Sequence, residues 1–392
     1  MQMGRRSPGY RNVLALGLVS FFTDISTEMI LGVLPAYLVI ELGASKAALG
    51  LVEGSAELLN HVSRLLSGIA SDRIGRRKPI VLAGYFLSSV AKPLFAFART
   101  WVDALAVRVA DRVGKGVRTA PRDALISQSV REREAGKAFG IHRTLDQLGA
   151  ILGPLLAFAL VPLIGIRPLF IASLIPAIAS LAILALFVSD VATRPRERGA
   201  LEGVGRVLGG SFSWVVLALA LFNLGAYNFS FILVRASELG VAVGALPLVY
   251  AILNVAHTAA GYPSGVLADR VGRSRVLALG IALLAISSLL LAMSAGSLGV
   301  GLAIAIVYGL HRGVYETVHR AIVPEYVSEE LRATAYGILH LVAGLSFFAG
   351  ISVVGYLWDL YGRSVAFVYS ALMAVVSAVV LLSPMCRTRR KR

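Results

Sequence analysis

The chain has 392 residues, of which 57% are hydrophobic and only 15% are charged. Soluble domains contain about 25% charged residues, so this composition excludes an ordinary soluble protein and indicates an integral membrane protein. The net charge of +16 would attract nucleic acid. However, the basic residues lie between long apolar runs, and we therefore expect no nucleic-acid partner.

Apolar runs long enough to cross a hydrocarbon core of about 30 Å follow one another along the whole chain. They begin near residues 12, 46, 79, 101, 136 and 167, and again near residues 214, 245, 276, 298, 333 and 363. The first run is too long for a cleaved signal peptide, so we interpret it as the first spanning helix. We predict an all-α integral membrane fold with twelve helices in two six-helix bundles. The bundles are residues 1–188 and 213–392, joined by a cytoplasmic connector over residues 189–212.

The basic residues indicate the orientation of these helices. They cluster in alternate loops, namely before the first helix, at Arg73–Lys78, at Arg131–Lys137, in the connector, at Arg270–Arg275 and in the C-terminal tail. Positive residues in short loops mark the cytoplasmic side of a membrane. We therefore predict a multi-pass protein of the inner or plasma membrane, with both termini in the cytoplasm.

An internal repeat relates the two halves of the chain. The segment Gly68–Arg76 returns as Gly265–Arg273, with a shift of 197 residues. Three further matches occur at the same shift, namely Gly116 with Gly313, Ala138-Phe-Gly140 with Ala335-Tyr-Gly337, and Gly153 with Gly350. Four matches at one offset predict two homologous halves. Parallel repeats of this kind place a substrate site near the middle of the bilayer.

These segments resemble the major facilitator superfamily of secondary transporters over essentially the whole chain. The superfamily's loop motif between the second and third helices is matched by Gly68, Asp72, Arg73, Gly75 and Arg76, with a degenerate second copy at Asp269 and Arg273. The resemblance implies a conformational latch in which Asp72 and Arg76 pair with Asp123 of the fourth helix. It also implies a monomeric transporter that is not an enzyme and needs no cofactor.

Two weaker matches extend the resemblance. The segment Arg108–Gly116 is similar to the superfamily's helix-four motif, which contains an arginine buried in the membrane. The segment Gly149–Ala157 is similar to a helix-five motif of proton-coupled exporters, although Ala157 replaces the usual glycine. This resemblance implies export of a small molecule, driven by the proton gradient.

Charged side chains at membrane depth are costly and usually face a cavity or a partner. Asp24 and Glu28 lie four residues apart on the first helix, and with Glu57 they are the predicted carriers of the coupling proton. The predicted substrate-binding residues are Arg108, Asp111, Arg112, Lys115, His61, His142, Asp146, Asn223, Tyr227, His311 and Glu316. Their arginines and lysine suit an anionic or zwitterionic substrate. We expect Arg118 and Arg122 to extend towards the aqueous interface rather than to bind substrate.

Other interpretations of the sequence remain open. Asp24, Glu28, Glu57, His61 and His142 offer oxygen and imidazole ligands that suit Mn, Fe, Co or Ni, so a divalent metal exporter of the same fold is the alternative. A non-transporting receptor or a lipid scramblase is a remoter one. The sequence shows no Walker loop or nucleophile elbow, which excludes an ATP-driven pump and argues against an enzyme.

Overall fold

The computed structural model describes residues 9–131, 134–191, 204–294, 298–328 and 331–386. Within these ranges every regular element is helical, which confirms the predicted all-α fold class. The basic residues at 1–8, residues 192–203 of the predicted connector and the tail at 387–392 lie outside the described residues. The predicted cytoplasmic orientation therefore stays a prediction.

The described residues of the first half of the chain form six helical spans, of which the first is broken after Leu31. They are α1 (Gly9–Glu41), α2 (Lys46–Ile74), α3 (Lys78–Phe97), α4 (Trp101–Ser129), α5 (Ala135–Ile164) and α6 (Ile166–Phe187).

The second half also contains six spans, of which the first is broken between Gly225 and Phe229. They are α7 (Phe212–Glu238), α8 (Val243–Val271), α9 (Arg273–Met293), α10 (Leu298–Ala321), α11 (Arg332–Tyr361) and α12 (Arg363–Leu382). All twelve starting points lie within three residues of those predicted from the sequence.

Among the described residues, nine of these spans are both long and apolar enough to cross a membrane. The other three, α2, α4 and α10, have 29, 29 and 24 residues. At a rise of about 1.5 Å per residue they are also long enough to span the bilayer. Their lower hydropathy has a specific cause, because they carry the charged stripes from which most of the predicted site is built.

The backbone repeats with the same 197-residue period as the sequence. Helix α5 begins and ends 197 residues before α11 does. Glycines with positive φ angles, which other residues rarely adopt, also occur in pairs at this spacing: Gly43 (65°) with Gly240 (90°), Gly75 (70°) with Gly272 (100°), and Gly165 (80°) with Gly362 (83°). The corresponding turns of the two halves therefore have the same backbone geometry.

The residue contacts divide the chain into two compact units. Unit 1 comprises residues 1–33 and 59–198, and unit 2 comprises residues 34–58 and 199–392. Helix α2 is divided between Leu58 and Leu59. Its N-terminal part packs in unit 2 so closely that a Cβ atom on Gly54 would lie 2.8 Å from the Ile351 side chain.

Candidate functional site

Glycines of α5 position the acidic residues of α1 in unit 1. A Cβ atom on Gly149 would lie 3.1 Å from the Cβ atom of Asp24, and one on Gly153 would lie 2.9 Å from the Cβ atom of Glu28. Only glycine permits so close an approach of the two helices. The segment that resembles an exporter motif thus has a direct structural role, because it holds α5 against the turn of α1 that carries both carboxylates. Asp24 and Glu28 are themselves half-buried.

A second pair of glycines brings α3 and α4 into contact. A Cβ atom on Gly84 would lie 2.7 Å from the carbonyl oxygen of Gly114, and one on Gly114 would lie 2.7 Å from that of Gly84. One turn further along α3, the Ser88 hydroxyl donates a hydrogen bond of 2.5 Å to Asp111 Oδ1. The α3–α4 contact therefore determines the surroundings of the charged stripe on α4.

Asp111 also forms an ion pair inside unit 1. Its Oδ2 atom lies 3.4 Å from Arg108 Nη1, and the two side chains are only 4% and 1% exposed. Both residues were predicted to bind substrate. The structure pairs them with each other and joins Asp111 to Ser88, and the second contact also holds α4 against α3.

Four cations of unit 1 lie in one electrostatic network, and we call Lys92, Arg112, Lys115 and Arg118 the cationic cluster. The Lys92 ammonium group interacts electrostatically with Asp111 first, and then with Arg118, Asp24 and Glu28. Lys115 interacts with Asp24 and Glu28 and with the neighbouring cations Arg112 and Arg118. Lys92, Arg112 and Arg118 are buried, whereas Lys115 is half-buried. The cluster is suited to hold a negatively charged ligand.

The expectation that Arg118 extends to the aqueous interface is wrong. Its side chain is 3% exposed, and its guanidinium carbon lies 4.4 Å from the centre of the Tyr85 ring. Sequence reasoning also missed Lys92, which is 1% exposed and donates to Thr27 Oγ1 at 3.3 Å. A lysine inside the apolar span α3 was a signal that could have identified it.

Near the C-terminal end of α4, the structure shows which ion pairs form around the predicted latch. Asp123 pairs with Arg122 at 2.9 Å and with Arg64 at 3.7 Å. Asp72 pairs with Arg77 at 3.0 Å and Arg76 is exposed, whereas the resemblance implied that Asp72 and Arg76 would both pair with Asp123.

The loop residues of the latch show why its pairing differs from the expectation. The left-handed turn at Gly75 precedes the change of direction into α3. Arg77 is turned inward, where it also donates to Gln128, and Arg73 is exposed. A Cβ atom on Gly68 would meet only the Ala120 side chain, at 3.4 Å. In unit 2, Arg273 pairs with Asp269 at 3.7 Å and with Glu325 at 3.6 Å.

The predicted residues of α5 lie next to the acidic residues of α1, because a side-chain hydrogen bond joins Asp146 to Asp24. Asp146 accepts hydrogen bonds from Ser20 at 2.6 Å and from Arg143 at 3.0 Å. His142 is buried one turn away on the same helix. His61 of α2 also belongs to unit 1 and is half-buried.

The predicted residues of unit 2 make mostly local contacts. Glu316 accepts a hydrogen bond of 2.7 Å from Arg312 and lies 3.4 Å from His257 Nε2. His311 Nδ1 is 2.7 Å from the Gly280 carbonyl oxygen. Each of these polar groups therefore has a partner inside unit 2.

Tyr227 and Asn223 lie in the broken span α7. The Tyr227 ring stacks on that of Tyr308 at 5.6 Å, and its hydroxyl is 3.1 Å from Ser287 Oγ. Asn223 donates to the Leu219 carbonyl oxygen at 2.7 Å.

Glu57, the third predicted proton carrier, is half-buried on the part of α2 that belongs to unit 2.

Four charged residues of unit 1 have uncharged counterparts in unit 2, whereas Lys115 corresponds to Arg312. The residues 197 positions after Asp24, Lys92, Arg108 and Arg112 are Leu221, Leu289, Ala305 and Gly309. Across the described ranges, no group of three or more His, Cys, Asp or Glu side chains is arranged to hold a metal ion.

Comparisons with known proteins identify the family of the chain. Residues 16–213 and 213–391 each match the family model of the Major Facilitator Superfamily. An uncharacterised transporter of this type from Methanocaldococcus jannaschii is 32% identical over 379 residues, which are 95% of this chain and 94% of that protein. Over 213 residues, 52% of this chain and 51% of the relative, the chain is 26% identical to the multidrug resistance protein MdtH of Aeromonas hydrophila.

A solved structure shows the same fold at low sequence identity. The crystal structure of the nucleoside transporter NupG superposes with a TM-score of 0.76 and 17% identity, covering 96% of this chain and 99% of that chain.

Proposed function

Because this chain belongs to the major facilitator superfamily, and is thus a multi-pass membrane transporter of a small molecule and not an enzyme, we propose that it carries a small organic anion and couples its movement to protons. The observation that carries the proposal is the cationic cluster, of which Lys92 and Lys115 interact with Asp24 and Glu28. Buried cations at membrane depth are costly unless a partner compensates them. An anionic substrate is such a partner.

Proton coupling follows from competition for the same cations. An ionised Asp24 or Glu28 neutralises part of the cationic cluster, and a proton on either carboxylate releases that positive charge to the substrate. Proton and anion then bind together, which gives cotransport. Glu57 stays in the proposal as a third proton carrier, and the driving force is the proton gradient without a cofactor.

Export by proton antiport is the second candidate, extending to zwitterionic or drug-like substrates. Two observations favour it: the half-length similarity to MdtH, and the resemblance of Gly149–Ala157 to an exporter motif. The two candidates predict opposite proton movements for the same anion. In cotransport the protons follow the anion, whereas in antiport they cross the membrane against it.

We further propose that the protein works as a monomer in the cell membrane, with both termini in the cytoplasm. The observation that supports this orientation is the distribution of basic residues, which cluster in alternate loops.

The first test is ligand stabilisation of the purified protein in detergent. Organic anions, organic cations, lipids and divalent metal ions are compared by thermal unfolding. A ligand at about 100 times its dissociation constant stabilises a protein by roughly 2.7 kcal/mol, which is readily detected. We expect organic anions to stabilise it. Arg112→Ala should remove this effect, and Arg99→Gln, which removes an exposed positive charge of unit 1, should preserve it.

The opposite result would be equally clear. If only divalent metal ions stabilise the protein, and Asp24→Ala removes their effect, the cargo is a metal cation and the proposal is wrong. If only lipids stabilise it, the scramblase interpretation takes its place.

A further inference from the structure

Two carboxyl groups of unit 1 are joined by a hydrogen bond, which links the Asp24 side chain of α1 to the Asp146 side chain of α5. Two ionised carboxylates have no hydrogen to share and repel each other, so a bond of this kind requires a proton on one of them. The packing of the helices keeps the groups together, because a Cβ atom on Gly149 would lie only 3.1 Å from the Asp24 Cβ atom. The geometry is that of a carboxylic acid donating to a carboxylate.

The surroundings of Asp146 favour its ionised form. Its carboxylate accepts hydrogen bonds from the Ser20 hydroxyl at 2.6 Å and from the Arg143 guanidinium group at 3.0 Å. Arg122 of α4 adds a second positive charge nearby. Hydrogen bonds and cations of this kind stabilise a carboxylate relative to its protonated form.

The other charged groups around Asp24 come from three helices. Glu28 follows one turn later on α1, Lys92 is on α3 and Lys115 is on α4. The two ammonium groups interact with Asp24 electrostatically, whereas Asp146 is in direct contact with its cation. Negative charge is therefore compensated more closely at Asp146, and this arrangement favours the hydrogen on Asp24.

A buried histidine lies one turn from Asp146 on α5. His142 is 5% exposed, and its Nε2 atom has no hydrogen-bond partner within the described part of the chain. The imidazole group interacts electrostatically with Arg122, Asp146 and Asp123. A buried ring nitrogen without a partner costs desolvation energy. Beside two acids that hold a proton, it offers a position to which that proton can move.

We propose that Asp24 and Asp146 share one proton as a carboxylic acid and a carboxylate, and that His142 is the next group to receive it. The proton leaves Asp24, passes along the hydrogen bond to Asp146 and binds the lone pair on Nε2 of a neutral His142. The products are two carboxylates and one imidazolium group, so atoms and charge balance. The carboxylates then repel each other across the α1–α5 contact, which couples loss of the proton to separation of these helices.

This inference deepens the proposed function and rests on it in one respect, namely that the shared proton is the one that drives transport. It also assigns Asp146 and His142, which the sequence suggested as substrate ligands, to the proton pathway. The presence of the shared proton itself does not depend on any substrate, so the two proposals can be tested separately.

Infrared spectroscopy detects the shared proton, because a carboxylic acid has a carbonyl stretching band that a carboxylate lacks. The wild-type protein in detergent is measured at about pH 7.5, where an unperturbed aspartic acid is ionised. It is compared with Asp24→Asn, Asp146→Asn and the control Asp103→Asn, which changes an exposed carboxylate of unit 1. We expect the band of one carboxylic acid to be lost in the first two variants and kept in the control.

Two results would overturn the shared proton. One is an Asp24→Asn spectrum with the full wild-type band, and the other is an undiminished band in Asp146→Asn, which would show that Asp24 holds its proton without a partner. If Asp146→Asn does not fold, Asp24→Asn still tests the inference, because its amide N–H can donate to Asp146 in place of the carboxylic acid.

The role of His142 is tested by the rate at which the band disappears after a rapid rise in pH. His142→Gln should keep the band at about pH 7.5 but slow its decay roughly tenfold or more, since a positioned proton-transfer group typically contributes at least that much. His340→Gln of unit 2 is the matched control and should decay at the wild-type rate. An unchanged rate in His142→Gln removes His142 from the pathway. If the band behaves as expected but no organic anion stabilises the protein, the shared proton stands and the proposed function is wrong.

Discussion

The ion pair between Arg108 and Asp111 gives the sharpest test of the structure in unit 1. Its atoms are 3.4 Å apart, its side chains are 1% and 4% exposed, and Ser88 donates a further hydrogen bond of 2.5 Å to Asp111. Asp111→Ala removes a carboxylate beside a buried guanidinium group. Breaking a buried pair in this way costs about 3–5 kcal/mol. We therefore expect a large fall in the unfolding temperature.

Two further variants separate the charge from the hydrogen bond. Asp111→Asn keeps an acceptor for Ser88 but removes the negative charge, so we expect an intermediate loss of stability. The double variant Arg108→Met with Asp111→Leu removes both charges of the pair and should lose less stability than Asp111→Ala, since apolar replacement of a whole buried pair is often neutral. A part of the loss should remain, because Asp111 also interacts with the buried Lys92. A matched surface control is Asp269→Ala, whose carboxylate is 73% exposed and pairs with Arg273 at 3.7 Å. Asp269→Ala should lower the free energy of unfolding by at most about 1 kcal/mol.

The assay is thermal unfolding of each variant in the same detergent, followed by tryptophan fluorescence. If Asp111→Ala unfolds at the wild-type temperature, the buried pair does not stabilise unit 1, and Arg108 does not need the Asp111 carboxylate to compensate its charge. A double variant as unstable as Asp111→Ala would contradict the account too, because it would show that the loss does not come from an unpaired charge.

Three other predictions concern separate elements. Gly114→Ala should lower the free energy of unfolding by about 1–3 kcal/mol, because its Cβ atom would lie 2.7 Å from the Gly84 carbonyl oxygen. Gly140→Ala is the control and should be neutral in the same unfolding assay, because a Cβ atom there would meet open space. Asp359→Ala should lower the free energy of unfolding by about 0.5–2 kcal/mol, because the Asp359 carboxylate accepts hydrogen bonds from the first two backbone N–H groups of α2 at 3.0 and 2.7 Å. An unchanged unfolding temperature would contradict this. Glu28→Gln should abolish proton flux in proteoliposomes while ligand binding persists, and undiminished flux would remove Glu28 from the coupling mechanism.

The fold was largely predictable because its signals are local and repeated. Apolar runs locate every span to within three residues, since the hydrocarbon core imposes both their length and their composition. The 197-residue repeat appears in the backbone as well, down to left-handed glycines such as Gly75 and Gly272. A spacing between identical residues needs no tertiary information to be recognised.

The site was less predictable because its pairing depends on which helices touch. The α4 stripe is visible in the sequence, but only the Gly84–Gly114 contact turns Arg118 towards Tyr85 and buries it. For the same reason the motif implied that Asp72 pairs with Asp123, while the turn at Gly75 brings Arg77 to Asp72. Helical periodicity assigns residues to a face of the helix, and packing decides what that face meets.

In the proposed mechanism, an organic anion and protons move through this protein together, by way of the cationic cluster. The most direct measurement is proton flux into proteoliposomes containing a pH-sensitive dye, after an inward gradient is imposed of the anion that stabilises the protein most. We expect anion-dependent acidification of the proteoliposome interior with the wild type and with Arg99→Gln. This acidification should be absent with Arg112→Ala. Anion uptake without any change in internal pH would contradict proton coupling, and anion-dependent alkalinisation would show antiport in place of cotransport.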